Sequence, residues 1–149
     1  KLLMVGDGPD RPDAEELCRE LNLCDEIRFL GKQQEMEEIL AISDLFVLTS
    51  EYESFGLSAL EAMAAGVPVL STNAGGLPEI NLHGQTGYMA NVGDIKALSK
   101  LGIELLQDET QLTAFKLHAK EHAAQFAIHR IVPKYEALYE RFVPASATA

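Results

Sequence analysis

The sequence has no tryptophan and only two cysteines among 149 residues. Two thiols, Cys18 and Cys24, are too few for a disulfide framework. They read as small buried or half-buried residues of a protein kept in a reduced, cytoplasmic compartment. No apolar run approaches the ~20 residues that a bilayer-spanning helix requires. Bases are scarce: 12 Lys and Arg stand against 23 Asp and Glu, a net charge of −11. The imbalance is local, with 15 acids and 5 bases in residues 1–61. No basic stripe exists, so a nucleic-acid binder is not expected. An anionic substrate would need cations from elsewhere. Neither a G-x-S-x-G nor a P-loop occurs. His118 and His122 stand four apart on a predicted helix without a third ligand and read as a solvated face. No metal site is expected.

What is present is an alternation of apolar runs and helical patterns. Leu2–Val5, Ile27–Leu30, Leu45–Leu48, Val67–Ser71 and Tyr88–Met89 read as strands. Helices are predicted near 12–22, 34–42, 56–65, 94–107, 109–125 and 129–142, with a short one from Pro78. Gly66 followed by Pro68 marks a helix stop. Strand–helix alternation predicts an α/β fold, a Rossmann-like parallel sheet with helices on both faces and right-handed crossovers. Ligands of such sheets bind beyond the C-terminal strand ends. The chain opens on an apolar run without an initiator Met and is expected to be the later part of a longer protein. The tail 143–149 is expected to be disordered.

Gly6-Asp-Gly-Pro-Asp-Arg11 follows a strand and invites a dinucleotide reading. It lacks the third glycine, and Pro9 removes an N–H, so a turn at a cleft rim is preferred. The richest segment runs from Ser50 to Val69. Glu53 falls in a loop and Glu61 within the helix that follows, so both are expected to face a cleft at the helix N-terminus. Backbone N–H groups of Gly56, Leu57 and Ser58 are expected as free first-turn donors for an anion such as a phosphate. Gly56 would let the backbone approach a ligand. The apolar neighbours of Glu61 suggest a carboxylate held among buried groups, which would require a specific partner. A carboxylate pair flanking an anion site suits a sugar nucleotide. The plain alternative is a solvated loop acid and an exposed helical one. Asn73-Ala-Gly-Gly-Leu-Pro-Glu79 brings two glycines beside the same cleft.

These residues together resemble the donor site of retaining GT-B glycosyltransferases of family 4. The resemblance rests on Glu53-Ser-Phe-Gly-Leu, on Glu61-Ala-Met-Ala-Ala-Gly-Val-Pro-Val69 and on Gly75-Gly-Leu-Pro-Glu79. The E-x7-E spacing is met. Val5-Gly-Asp-Gly-Pro9, Phe29-Leu-Gly-Lys-Gln33 and His83-Gly-Gln-Thr-Gly-Tyr88 extend it, over about residues 1–142. It implies the C-terminal, nucleotide-sugar-binding half of a GT-B fold and metal-free transfer with retention. Glu53 would be the catalytic carboxylate on the transferred sugar. Backbone around Phe55 and Gly56 would hold that sugar, with Leu57 and Ser58 nearer the diphosphate. Glu61 would grip the ribose, Gln33 backbone would read the base, and Gly75 would line the sugar pocket.

Within the family the likeness is greatest to members that join N-acetylglucosamine from UDP-GlcNAc to L-malate in bacillithiol synthesis. Gly31-Lys-Gln33, Ser50-Glu-Tyr-Glu-Ser-Phe-Gly-Leu57 and Ile131-Val-Pro-Lys-Tyr135 carry that likeness. The family's phosphate-binding Arg and Lys, and its acceptor domain, would precede Lys1, so these 149 residues alone are expected to be inactive. The apolar stripe of 129–142 is expected to be partly exposed or covered by another copy, since the family's last helix crosses back to the N-terminal half. Alternative readings are a family member with another donor or acceptor, a non-catalytic nucleotide-sugar module and, more remotely, a dehydrogenase.

Overall fold

A computed structural model describes residues 1–142, so the expectation for the tail 143–149 lies outside the described residues. The chain divides into two compact units, one ending at Ile39 and one beginning at Leu40. In the first, β1 (Leu2–Val5), α1 (Arg11–Glu20) and β2 (Ile27–Gly31) form one β-α-β repeat. β1 and β2 pair in parallel, Leu2 opposite Ile27 and Met4 opposite Phe29, with an irregularity before Val5. Pro12 pre-sets the first turn of α1, and Asp13 faces its positive end. Arg11 joins Glu15 at 2.8 Å and stands over the Phe29 ring at 6.0 Å.

α2 (Met36–Ala41) spans the boundary, and its Leu40 is buried in the core of the second unit. That unit continues with β3 (Phe46–Leu48), α3 (Leu57–Ala64), β4 (Val69–Thr72), α4 (Leu77–Ile80), β5 (Gly87–Ala90), α5 (Ile95–Gln107) and α6 (Glu109–Ala123). A 3-10 turn, Ala124–Phe126, leads into α7 (Ile128–Glu140). β3, β4 and β5 pair in parallel in that order.

Strand side chains alternate between faces. Val69 points into a core with Ala59, Ala62 and Met63 of α3 and Ala119 of α6. The next residue, Leu70, meets α5 at Gly102, where a Cβ would come within 2.9 Å of the Leu70 side chain. Helices therefore cover both faces, as the alternation predicts. Every described ladder is parallel, as expected. The ladders are two, β1–β2 and β3–β4–β5, one per unit. Hydrophobic periodicity identifies strands but does not say which of them share a ladder.

Gly66 ends α3 with φ +82°. Its N–H donates to the Met63 carbonyl at 2.9 Å and that of Val67 to the Ala62 carbonyl at 2.9 Å, the paired bonds of a Schellman stop. A Cβ here would meet nothing closer than the Lys116 carbonyl at 3.8 Å, so the cost of a side chain is conformational. Gly66→Ala is expected to destabilise by about 1–2 kcal/mol. The check is a lower urea midpoint with an unchanged m-value.

α7 buries none of its side chains. Ile131 is half-buried, while Val132, Tyr135, Leu138, Tyr139 and Phe142 are exposed, in line with the expectation for this stripe. His122 departs from its expected solvated place. Its Nε2 is buried with no hydrogen-bond partner among the described residues, and its ring meets Phe126 edge-on at 5.4 Å.

Candidate functional site

The loops after β3 and β4 come together in the second unit. Thr72 Oγ1 at the end of β4 donates to the Ser50 carbonyl at 2.6 Å. The Gly76 N–H donates to the Glu53 carbonyl at 3.1 Å. A Cβ on Gly75 would overlap that same Glu53 oxygen, and one on Gly76 would lie 2.6 Å from the Ser54 carbonyl. Gly75 also has φ +51°. The two glycines thus let one loop lie flat against the backbone of the other. The close approach at Gly75 is to the Glu53 backbone.

Glu53 is half-buried, and its carboxylate turns back onto the helix that follows. Oε1 accepts the Gly56 N–H at 3.1 Å. Gly56 is the N-cap residue of α3 with φ +94°. A Cβ there would fall 2.7 Å from Leu77 and 2.9 Å from Ile80. One expectation changes: the Gly56 N–H is not a free donor, because Glu53 already takes it. Its missing side chain makes room for Leu77 and Ile80 of α4. The Leu57 and Ser58 N–H groups remain, with no acceptor among the described residues. They point from the positive end of α3, where an anion is favoured. Phe55 sends its ring inward, edge-on to Phe126 at 6.1 Å, which anchors the loop to the core.

Glu61 is exposed and forms no ion pair among the described residues. The expected burial fails because a helix turns every 3.6 residues. Ala62 and Met63 face inward, while Glu61, Ala64 and Ala65 do not. Glu61 instead stands on the wall of a cavity of about 400 Å³, with Leu57, Leu60, Ala64, Lys120 and Phe126. Lys120 was missed by sequence reasoning, since nothing local marks a lysine on α6 as a neighbour of α3. It is a cation beside a mostly apolar wall that also carries a carboxylate.

Gln33 belongs to the first unit, where its side-chain amide donates to the Leu30 carbonyl at 2.6 Å and braces the turn after β2. A larger cavity, about 610 Å³, lies between β3, β4 and α5. Val47, Leu70, Leu98, Ile103 and Leu106 make it aliphatic, and of the Ser50–Leu57 segment Glu51 stands on its described wall. No group of three His, Cys, Asp or Glu side chains among the described residues is placed to hold a metal. No described helix is long and apolar enough to cross a membrane.

The family model of glycosyl transferases group 1 matches residues 1–122. The N-acetyl-alpha-D-glucosaminyl L-malate synthase of Bacillus anthracis is 46% identical over 140 residues, 93% of this chain and 37% of its own. The 2-deoxystreptamine N-acetyl-D-glucosaminyltransferase of Niallia circulans is 33% identical over 142 residues, 93% of this chain and 36% of its own. The chain thus spans little more than a third of the length of these relatives. Among solved structures, Anabaena HepE in complex with UDP and glucose superposes with a TM-score of 0.84 at 27% identity, over 93% of this chain and 40% of that one. Sucrose-phosphate synthase of Thermosynechococcus elongatus does so at 0.83 and 29%, over 94% and 38%. The chain belongs to the glycosyl transferases group 1, with the α/β architecture of the GT-B enzymes.

Proposed function

We propose that this chain is the donor-binding part of a retaining glycosyltransferase that moves N-acetylglucosamine from UDP-GlcNAc to L-malate, a step of bacillithiol synthesis. The observation that carries the reading is the 46% identity to the malate synthase over nearly the whole chain. The Niallia relative also bears an N-acetylglucosaminyl name but a different acceptor, which supports the sugar more firmly than malate. The bound UDP of the Anabaena neighbour supports a uridine nucleotide.

In this reading the Leu57 and Ser58 N–H groups meet the diphosphate at the positive end of α3. Glu61 accepts the ribose hydroxyls from the cavity wall. Glu53, fixed through Gly56, acts on the transferred sugar. The protein's contribution is positioning and stabilisation of the departing diphosphate, with no metal required.

Two measurements on the full-length protein test this. UDP-GlcNAc with L-malate should give a glycosylated malate. Turnover with 2-deoxystreptamine and none with malate would reassign the acceptor. UDP binding without transfer to either would favour a binding module. Glu61→Gln removes a contact made equally before and during transfer. It should weaken UDP binding and raise the donor KM by about tenfold, with kcat little changed. Calorimetric titration with UDP reads the first effect directly.

A further inference from the structure

The first unit holds two free thiols that the donor site does not use. Cys18 lies on α1 and is buried, whereas Cys24, in the loop between α1 and β2, is exposed. Their sulfurs are 3.5 Å apart, with the Cys18 thiol donating to Cys24. The exposure of Cys24 departs from the sequence reading, which placed both thiols in a buried or half-buried setting. The backbone that carries them is tied down by hydrogen bonds. The Leu23 N–H donates to the Cys18 carbonyl at 3.0 Å, closing the turn behind α1. Asn22 takes a left-handed conformation within that turn, with φ +56°. The Glu26 and Ile27 N–H groups both return to the Leu23 carbonyl, at 2.8 and 3.1 Å. The Arg28 guanidinium holds the Cys24 carbonyl at 2.9 Å.

We propose that Cys18 and Cys24 are a reactive dithiol, in which exposed Cys24 takes up a small-molecule disulfide and buried Cys18 resolves the adduct into a Cys18–Cys24 disulfide. The thiolate is the attacking species, and access selects Cys24. Cys24 Sγ attacks one sulfur of a disulfide RSSR, forming a mixed disulfide and releasing one RS⁻, which takes up a proton. Cys18 then gives up its proton and attacks Cys24 Sγ, and the second RS⁻ leaves. Overall the two thiols are oxidised by two electrons and RSSR is reduced to two RSH. Closing the sulfurs from 3.5 Å to a bond of about 2.05 Å needs a shift of roughly 1.5 Å, within reach of side-chain adjustment. Burial pushes the Cys18 thiol pKa up, with the Cys24 hydrogen bond adding to it. That suits a group shielded from solution and active only toward the sulfur beside it.

Glutathione disulfide is the probe, applied to the folded chain and followed by intact mass and by thiol alkylation. The wild type should lose both alkylatable thiols, fall in mass by two hydrogens and retain no glutathione, with a peptide map joining residues 18 and 24. Cys18→Ser should instead trap one glutathione on Cys24. Cys18→Ala repeats that test with an apolar group in the buried site, in case the serine variant fails to fold. Cys24→Ser should gain no adduct until the chain is denatured. A stable glutathione adduct on wild-type Cys24 with Cys18 still free overturns the proposal. So does a wild type that keeps both thiols, or a Cys24→Ser variant whose Cys18 reacts as fast as Cys24 does.

Discussion

In the full-length enzyme, Glu53→Gln is expected to lower kcat by roughly ten- to a thousandfold while leaving UDP affinity nearly unchanged. The expectation rests on the proposed role of Glu53 at the sugar, where positive charge develops during transfer. The structure makes glutamine the informative replacement. Glu53 Oε1 accepts the Gly56 N–H, and an amide oxygen can still do so. Glutamine therefore removes the charge and keeps the brace on α3. Glu53→Ala removes both, and should also loosen the Leu57 and Ser58 donors. Its UDP affinity should fall where that of Glu53→Gln does not. Calorimetry and steady-state kinetics on the two variants separate the roles. If Glu53→Gln weakens UDP binding as much as Glu61→Gln does, the carboxylate acts on the nucleotide and the assignment is wrong.

Asn81→Leu is expected to destabilise the second unit by about 4 kcal/mol, enough to remove much of a typical domain's stability. Asn81 is fully buried at the end of α4. Its side-chain amide donates to the Val69 carbonyl at 3.1 Å, Ser71 Oγ at 2.9 Å and the Tyr88 carbonyl at 3.2 Å. Its Oδ1 accepts from Thr86 Oγ1 at 3.1 Å, and Thr86 Oγ1 in turn accepts the Leu82 N–H at 2.8 Å. One side chain thus ties α4 to both β4 and β5. Leucine has nearly the same shape, so the loss reports hydrogen bonds rather than a cavity. Of the partners left behind, Val69, Ser71 and Thr86 are buried, where an unpaired polar group is costly. A urea titration followed by circular dichroism checks the magnitude. Amide exchange should locate the loosening in β4 and β5. A shift under about 1 kcal/mol would mean that the network relaxes around the loss.

Much of this was legible in the sequence because it depends on spacing. Strand and helix positions follow from apolar periodicity, and the Glu53-to-Glu61 segment carries its family signature in residue order. What spacing does not encode is which neighbour a residue meets. Gly56 and Gly75 stand out in the sequence as glycines near the motif, but that Leu77, Ile80 and the Glu53 backbone pack against them is visible only in the fold. Glu61 looked buried because its chain neighbours are apolar, whereas helical phase turns it outward. Asn81 gave no signal, since a polar residue between a short helix and a loop is ordinary until its surroundings are known. Lys120 reaches the Glu61 cavity through the packing of α6 on α3, a long-range contact.

The contact between the Gly75-Gly76 turn and the Glu53–Phe55 backbone also constrains how this scaffold can be redesigned. The two loops leave different strands, yet they share a hydrogen bond and have no room between them for even one methyl group. They form a single rigid rim, with the carboxylate of Glu53 built into it. Grafting one loop from a relative with another sugar preference would set a foreign turn against an unmatched backbone. An exchange of donor specificity should therefore carry residues 50–57 and 73–77 together, as one cassette.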